Sequence, residues 1–301
     1  MTEAEILERL KRRLLLPSHS RVVMGIGDDC AIYRGPGASE DLLLTTDLLV
    51  EGVHFLLSTH RAADIGHKAL ARGLSDIAAM GGKPSFCLVS LALPQSTSAK
   101  WIDGFYSGLL KLAEAHGVVL AGGDLARAAQ ITCDIVCAGA VPRSKALLRS
   151  RAQPRDGVYV SGALGGSALG LATNGGAARQ RHLRPEPRVE LGQYLRKTLH
   201  ATGAMDLSDG LSIDLARMCR ASGISASIDH VPQFPGATME QALHGGEDYE
   251  LLFTVRPETL VPAAFRGIPL TRIGAMLKGP EARVLFDGKP LPVLGHDHFR
   301  R

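Results

Sequence analysis

Short apolar runs alternate along this chain with longer segments of helical spacing. Leu42 to Leu44, Ser85 to Leu93 and Ile131 to Val141 read as strands, and Ala62 to Met80 and Ala99 to His116 repeat their apolar positions as helices do. A polar, basic stretch, Pro142 to Asp156, interrupts the series. Beyond it the pattern predicts a strand at Gly157 to Ser161, a helix at Ser167 to Thr173 and a loop rich in Arg, Gly and Pro from Asn174 to Pro187. Helices follow around Leu191 to Ala201 and Ser212 to Ser222, with strands at Ser225 to Ile228, Glu250 to Val255 and Arg283 to Phe286. The mixture predicts α/β architecture in two domains, residues 1–142 and 143–301, with the seam near Arg143 to Asp156. At the N-terminus, Ile6, Leu7, Leu10 and Leu14 stand among Glu and Arg, the pattern of an amphipathic helix from Thr2 to Leu16 and not of a signal peptide.

Composition narrows the function classes. A chain of 301 residues can bury a sizeable core, and 45% hydrophobic with 21% charged residues is ordinary for a soluble enzyme. The net charge of +4 comes from scattered basic residues and only 5% of the chain is aromatic, so no basic or stacking surface for nucleic acid is visible. No run reaches the ~18 apolar residues of a membrane span. The five cysteines form no CxxC pair. Cys133 and Cys137 share a strand face, where two core thiols are favoured over a zinc half-site. This usage fits a reducing cytoplasm.

The chemistry is written in aspartates beside Gly, Ser or Thr: Gly27-Asp28-Asp29, Thr45-Thr46-Asp47, Leu74-Ser75-Asp76, Gly122-Gly123-Asp124 and Asp206-Leu207-Ser208-Asp209-Gly210. They are expected in short turns at strand ends, where glycine lets backbone approach a ligand. Carboxylates so held suit hard cations and the phosphates that those cations carry. Any one of them is equally a helix cap or a turn residue.

Further segments join these in order: Gly52-Val53-His54-Phe55, Lys68-Ala69-Leu70, His182-Leu183-Arg184-Pro185 and Gly245-Gly246-Glu247-Asp248-Tyr249-Glu250. From about Gly25 to Phe299 the ordered set resembles the thiamine-monophosphate kinases, a family grouped with aminoimidazole ribonucleotide synthetase and selenophosphate synthetase. The resemblance implies an N-terminal α/β domain whose sheet pairs with its twin as a dimeric sheet or barrel, and a C-terminal α/β domain of the aminoimidazole ribonucleotide synthetase type. It implies ATP and several Mg²⁺ ions in the cleft between the halves, with thiamine monophosphate as acceptor.

Residue by residue, the resemblance gives metal binding to Asp29, Thr45, Thr46, Asp47, Asp76, Asp124, Asp206 and Asp209, leaving Asp28 unassigned. It gives ATP contacts to Gly123, Asp124, Arg149 and Ser208, with Tyr106 toward the adenine. The acceptor falls to His54, Glu247 and His296. At His296 the family usually has an aromatic residue, which bears on a stacking contact and not on the reaction type. For Arg149 a solvated basic linker is the competing reading, and for Tyr106 and His54 it is core packing.

No general base beyond this metal clamp is expected, because a phosphate monoester acceptor is already ionised near neutral pH. The obstacle is charge repulsion. Ser161-Gly162-Ala163-Leu164-Gly165-Gly166-Ser167 lacks the ending of a Walker loop and reads as a tight strand-to-helix turn. His182-Leu183-Arg184-Pro185 offers a histidine and an arginine that could bind phosphate, with a Pro-bounded helix start an equal reading, and is left outside the site. Another ATP-dependent superfamily enzyme and a non-catalytic assembly protein are the alternatives. Against them stand the absence of Cys from Met1 to Arg21 and an end, Phe299-Arg300-Arg301, without the terminal cysteine of the hydrogenase-maturing relatives.

Overall fold

The computed structural model describes residues 2–13, 17, 19–173, 175–279, 282–296 and 299. Helix α1 (Glu3–Arg13) leads into β1 (Val22–Met24), β2 (Ala31–Tyr33) and β3 (Glu40–Val50). Then come α2 (Ala62–Ala79), β4 (Lys83–Leu93), α3 (Ala99–His116), β5 (Val119–Arg127) and β6 (Thr132–Pro142). The six strands form one sheet in the order β1-β2-β3-β6-β4-β5, in which only β4 and β5 run parallel. Helix α3 makes that crossover, capped at its start by Ser98, which accepts from the Trp101 N–H. The amphipathic N-terminal helix is present as α1, while Leu14 lies outside the described residues.

After a 3-10 turn (Arg149–Arg151) the chain continues through β7 (Gly157–Ser161), α4 (Gly166–Thr173), α5 (Gly176–Leu183), α6 (Val189–Lys197) and β8 (Gly203–Asp206). It then forms α7 (Leu211–Ser222), β9 (Ser225–Ile228), α8 (Met239–His244), β10 (Leu251–Val255), β11 (Ala264–Phe265), β12 (Ile268–Leu277), β13 (Val284–Phe286) and β14 (Lys289–Pro290). These strands build a second sheet, β14-β13-β9-β12-β7-β10-β8, with β11 paired to β12.

The α/β architecture is as expected, with local corrections. Thr45-Thr46-Asp47 does not end a strand but lies inside the 11-residue β3, because Leu48-Leu49-Val50 carries the alternation onward. Likewise Leu74-Ser75-Asp76 lies within α2 and Gly122-Gly123-Asp124 within β5. Only Asp28-Asp29, in the loop before β2, and Asp206 to Gly210, which closes β8 and the turn after it, stand at strand ends. The loop expected from Asn174 to Pro187 contains α5, and Asn174 itself is outside the described residues. Strand β12 was hidden by its own sequence, since Pro269, Arg272 and Gly274 interrupt its β pattern.

Helix α2 is central. It packs on β3, β4 and β6 on one side and meets α3, α6 and β8 on others, so it is buried almost throughout. Glycines permit this crowding. A β-carbon on Gly66 would fall 1.9 Å from the Phe105 carbonyl oxygen, and one on Gly108 would fall 1.9 Å from that of Ala63. We expect Gly66→Ala and Gly108→Ala each to destabilise the protein by about 3 kcal/mol through forced separation of α2 and α3. A urea midpoint indistinguishable from wild type would contradict that close approach.

Candidate active site

The site is organised by a polar stripe on α2. Lys68, Arg72, Ser75 and Asp76 recur at helical spacing and share one face. Each meets a partner from another element. The Lys68 ammonium lies 2.7 Å from Glu247 Oε1, and Arg72 pairs with Asp47 of β3 at 2.9 Å. The Ser75 hydroxyl donates to Asp206 at the end of β8 (2.6 Å), and the Thr45 hydroxyl donates to Asp76. Within β3, Thr45 and Asp47 therefore face α2. Thr46 points to the other side of the sheet, where its hydroxyl donates to Asp134.

Three carboxylates converge where the loop before β2, helix α2 and strand β8 meet. Single oxygens of Asp29, Asp76 and Asp206 all lie within 4.8 Å of one another. Burial first, and then the charges of neighbouring aspartates, push Asp76 and Asp206 well above the usual carboxylate range. Asp29 is paired with the Arg149 guanidinium, yet its Oδ2 is buried without a hydrogen-bond partner among the described residues. Burial, reinforced by Asp29, also raises Asp28 to about 7, although Asp28 Oδ2 accepts the Arg149 N–H. Hard oxygen donors, mutual repulsion and an unsatisfied buried oxygen together fit a divalent cation.

From this cluster a cleft of about 490 Å³ extends between the halves. Asp47, His54, Asp76, Asp206, Ser208, Asp209, Glu247 and His296 line it, so residues from both halves meet there. The His54 Nδ1 accepts the Val50 N–H (3.0 Å). Asp209 pairs with Arg217, and its carbonyl accepts the His296 N–H at 3.1 Å. Asp297 and His298 lie outside the described residues.

Besides Thr46, three more expected positions stand elsewhere in this single chain. Gly123 and Asp124 lie on the exposed strand β5, with Asp124 in register beside Ser90. Tyr106 packs edge-on against Phe105, their centroids 5.3 Å apart, and is not among the cleft-lining residues. Arg149 is no solvated linker, since its guanidinium is held by Asp29 and its carbonyl accepts the Ser222 hydroxyl. Ser161 to Ser167 is the strand-to-helix turn expected, and Asp248 accepts its Gly165 and Ser167 N–H groups at 2.6 and 3.1 Å.

Several cleft residues escaped the sequence reading. His182 closes α5 instead of starting a helix, and it lines the cleft with its Nδ1 2.9 Å from the Ser167 hydroxyl and 3.4 Å from Glu247 Oε2. His60 lies against it edge-on, and Phe55 and Tyr249 complete that end. The available signal was two basic residues, Lys68 and Arg72, one turn apart in a helix rich in apolar residues.

Two α/β halves around a carboxylate-lined cleft define a class of protein, and the comparisons agree with it. The chain matches the AIR synthase related protein N-terminal domain over residues 27–141 and the corresponding C-terminal domain over residues 153–287. Within that class, the chain belongs to the thiamine-monophosphate kinase family. It is 39% identical to thiamine-monophosphate kinase of Escherichia coli (strain K12), covering 92% of each chain. It is 37% identical to that of Haemophilus influenzae (strain ATCC 51907 / DSM 11121 / KW20 / Rd), covering 100% of this chain and 98% of the relative. The structure of AaThiL complexed with AMPPCP and TMP superposes with a TM-score of 0.88 at 33% identity, covering 99% of this chain and 97% of the other. Hydrogenase maturation protein HypE in complex with ATP, 17% identical with a TM-score of 0.72 and 85% of each chain covered, shares the fold.

The carboxylate cluster yields a stability test. Asp76→Asn removes a buried charge that its neighbours repel, so it should raise the melting temperature of the cation-free protein at neutral pH. It should also diminish any further rise on adding millimolar Mg²⁺, which calorimetry reads directly. A cation-free melting temperature below that of wild type would show that Asp76 is stabilised by its surroundings and not strained.

Proposed function

We propose that this protein transfers the γ-phosphoryl group of ATP to thiamine monophosphate, giving thiamine diphosphate and ADP. The observation that carries the reading is the cleft itself. Its lining combines Asp47, Asp76 and Asp206, suited to phosphate-bound cations, with His54, His182, Glu247, Tyr249 and His296, suited to a heteroaromatic acceptor. Family membership and the ATP analogue and TMP in the AaThiL complex support it.

The donor set fits Mg²⁺. Asp29, Asp47, Asp76 and Asp206 would hold it, with Thr45 and Asp209 beside them, and we retain Thr46 and Asp124 in the set by resemblance. Bound there, Mg²⁺ would neutralise phosphate oxygens and relieve the repulsion between two anions. The protein's own part is positioning. Arg149 braces Asp29 and Arg72 braces Asp47, so both carboxylates are held in place before any ligand arrives. Ser208, Gly123 and Tyr106 are proposed nucleotide contacts together with Arg149, and His54, Glu247 and His296 are proposed acceptor contacts. No side chain is required to remove a proton from the acceptor.

We also propose domains at residues 1–142 and 143–301, a cytoplasmic location and a homodimer formed by the first sheet. Helices α2 and α3 cover one face of that sheet. The other carries Leu44, Leu48, Leu88 and Val136, half or fully exposed, together with Thr46, Ser90 and Asp134. Such a face suits a second copy. No helix among the described residues is long and apolar enough to cross a membrane.

Product analysis with thiamine monophosphate, other monoesters and no acceptor tests the reaction. We expect ADP and thiamine diphosphate in equal amounts, and markedly faster phosphorylation of a different monoester would overturn the substrate. Sedimentation at micromolar concentration should give about twice the 32.0 kDa chain mass. A fully active monomer would eliminate the dimer.

A further inference from the structure

Lys68 is an unusual residue to find in the middle of a core helix. It is 1% exposed and flanked by Ala69, Leu70 and Ala71, all fully buried. The other charged side chains acting on it, Arg72 and Arg179, are cations that disfavour its charge, and burial disfavours it further. Glu247 is the anion that compensates, with Oε1 2.7 Å from the ammonium. A lysine buried in this way is costly to the fold unless its partner is secure.

The partner is secured from the opposite side. Glu247 and Tyr249 take left-handed backbone conformations, φ 66° and 50°, which a loop holds only when its surroundings enforce them. Here the Glu247 N–H donates to the Ser208 carbonyl (2.7 Å), and the Tyr249 N–H donates to that of Leu207 (2.9 Å). A β-carbon on Gly246 would lie 2.7 Å from the Ser208 oxygen, so the loop lies tight on the turn that also carries Asp209. The backbone of Glu247 is thus fixed by the C-terminal half and its Oε1 by the N-terminal half. Oε2, 3.4 Å from His182 Nδ1, is the oxygen that the ammonium leaves free to act. Glu247 and His182 line the cleft, whereas Lys68 stands behind them.

We infer that Lys68 is a positioning residue for the acceptor: reaching across the junction of the two halves, it locks Glu247 in the orientation that presents its second oxygen, with His182, to the organic end of the substrate. The inference rests on the reading of this cleft as the thiamine monophosphate site. Two electrostatic effects agree with it. Although burial raises the Glu247 pKa, Lys68 and then His182 outweigh that and bring it to about 2, so the group is a carboxylate throughout the working range. Burial, and then the Lys68 charge, lower His182 to about 3, leaving a neutral imidazole. Its Nε2 is buried without a hydrogen-bond partner among the described residues. A neutral ring beside a fixed carboxylate can share recognition of a heteroaromatic edge without adding a second charge.

A double-mutant cycle tests this. Lys68→Met should raise the KM for thiamine monophosphate roughly tenfold or more while the KM for ATP and kcat at saturating acceptor stay within about twofold. Glu247→Gln should do likewise, and the double variant should be no worse than Glu247→Gln alone, because Lys68 acts only through Glu247. Lys68→Gln, which keeps a hydrogen-bond donor, provides the same cycle should Lys68→Met fail to fold, and thermal melts monitor both. Independent, multiplying effects would overturn the inference. So would a Lys68 variant that weakens ATP and acceptor alike, the mark of a merely structural clasp, or one that leaves the acceptor KM unchanged. Wild-type protein that does not turn over thiamine monophosphate would overturn the functional reading, and this inference with it. Normal wild-type turnover with no coupling in the cycle would overturn the Lys68 inference alone.

Discussion

A helix that runs through the interior cannot carry polar side chains unless something answers each of them, and α2 carries four along one face alone. The answers come from β3, β8 and the loop before β10, so satisfying one helix fixes the relative positions of elements from both halves. Steric fit reinforces this. Gly66 and Gly108 bring α3 onto α2, and on another side Gly192 of α6 comes so near that a β-carbon would meet the Ala78 carbonyl oxygen at 1.9 Å. The cleft is the space left between halves that are joined through this helix.

Charge is distributed unevenly around that space. Asp47, Asp209 and Glu247 have basic partners in Arg72, Arg217 and Lys68, and Asp29 has Arg149. Asp76 and Asp206 are instead met by the hydroxyls of Thr45 and Ser75. A hydroxyl steadies a carboxylate without cancelling its charge, so burial dominates and both groups are driven toward their protonated form. Carboxylates that the protein leaves uncompensated are those a cation would stabilise most, and Asp76 and Asp206 are in that position.

Much of this was legible in the sequence. The strands and helices of the first half were marked by clean periodicity, and of the ordered acidic motifs Asp47, Asp76, Asp206 and Asp209 do line one cleft, whereas Thr46 and Asp124 do not. What escaped was context. Thr45-Thr46-Asp47 looks like a strand end because three polar residues interrupt an apolar run, and only the Asp76, Asp134 and Arg72 side chains explain why they can stay inside β3. The basic, glycine-rich text around α5 resembles a loop, yet Arg179 and Arg181 are drawn inward by the Thr59 carbonyl and by Glu250. His182 was set aside for the same reason, since its buried environment is assembled from Lys68, Ser167 and Glu247, distant in sequence. The opposite orientation of Thr46 to Thr45 follows from strand alternation once the strand is known.

The stripe on α2 also sets a length. Lys68 and Asp76 stand about 12 Å apart along the helix axis at roughly 1.5 Å per residue, with Arg72 between them. Lys68 fixes the carboxylate proposed to hold the organic end of the acceptor, and Asp76 belongs to the cluster suited to phosphate-bound cations. That separation is comparable to an extended heteroaromatic phosphate monoester, so recognition and phosphoryl chemistry can be anchored to one rigid element. A reaction that needs no proton abstraction but depends on bringing two anions into line gains most from such rigidity, because misplacement at either end is not corrected by any later chemical step. Burying so many polar groups in one helix is costly, and under the proposed function that arrangement aligns the acceptor with the cation cluster.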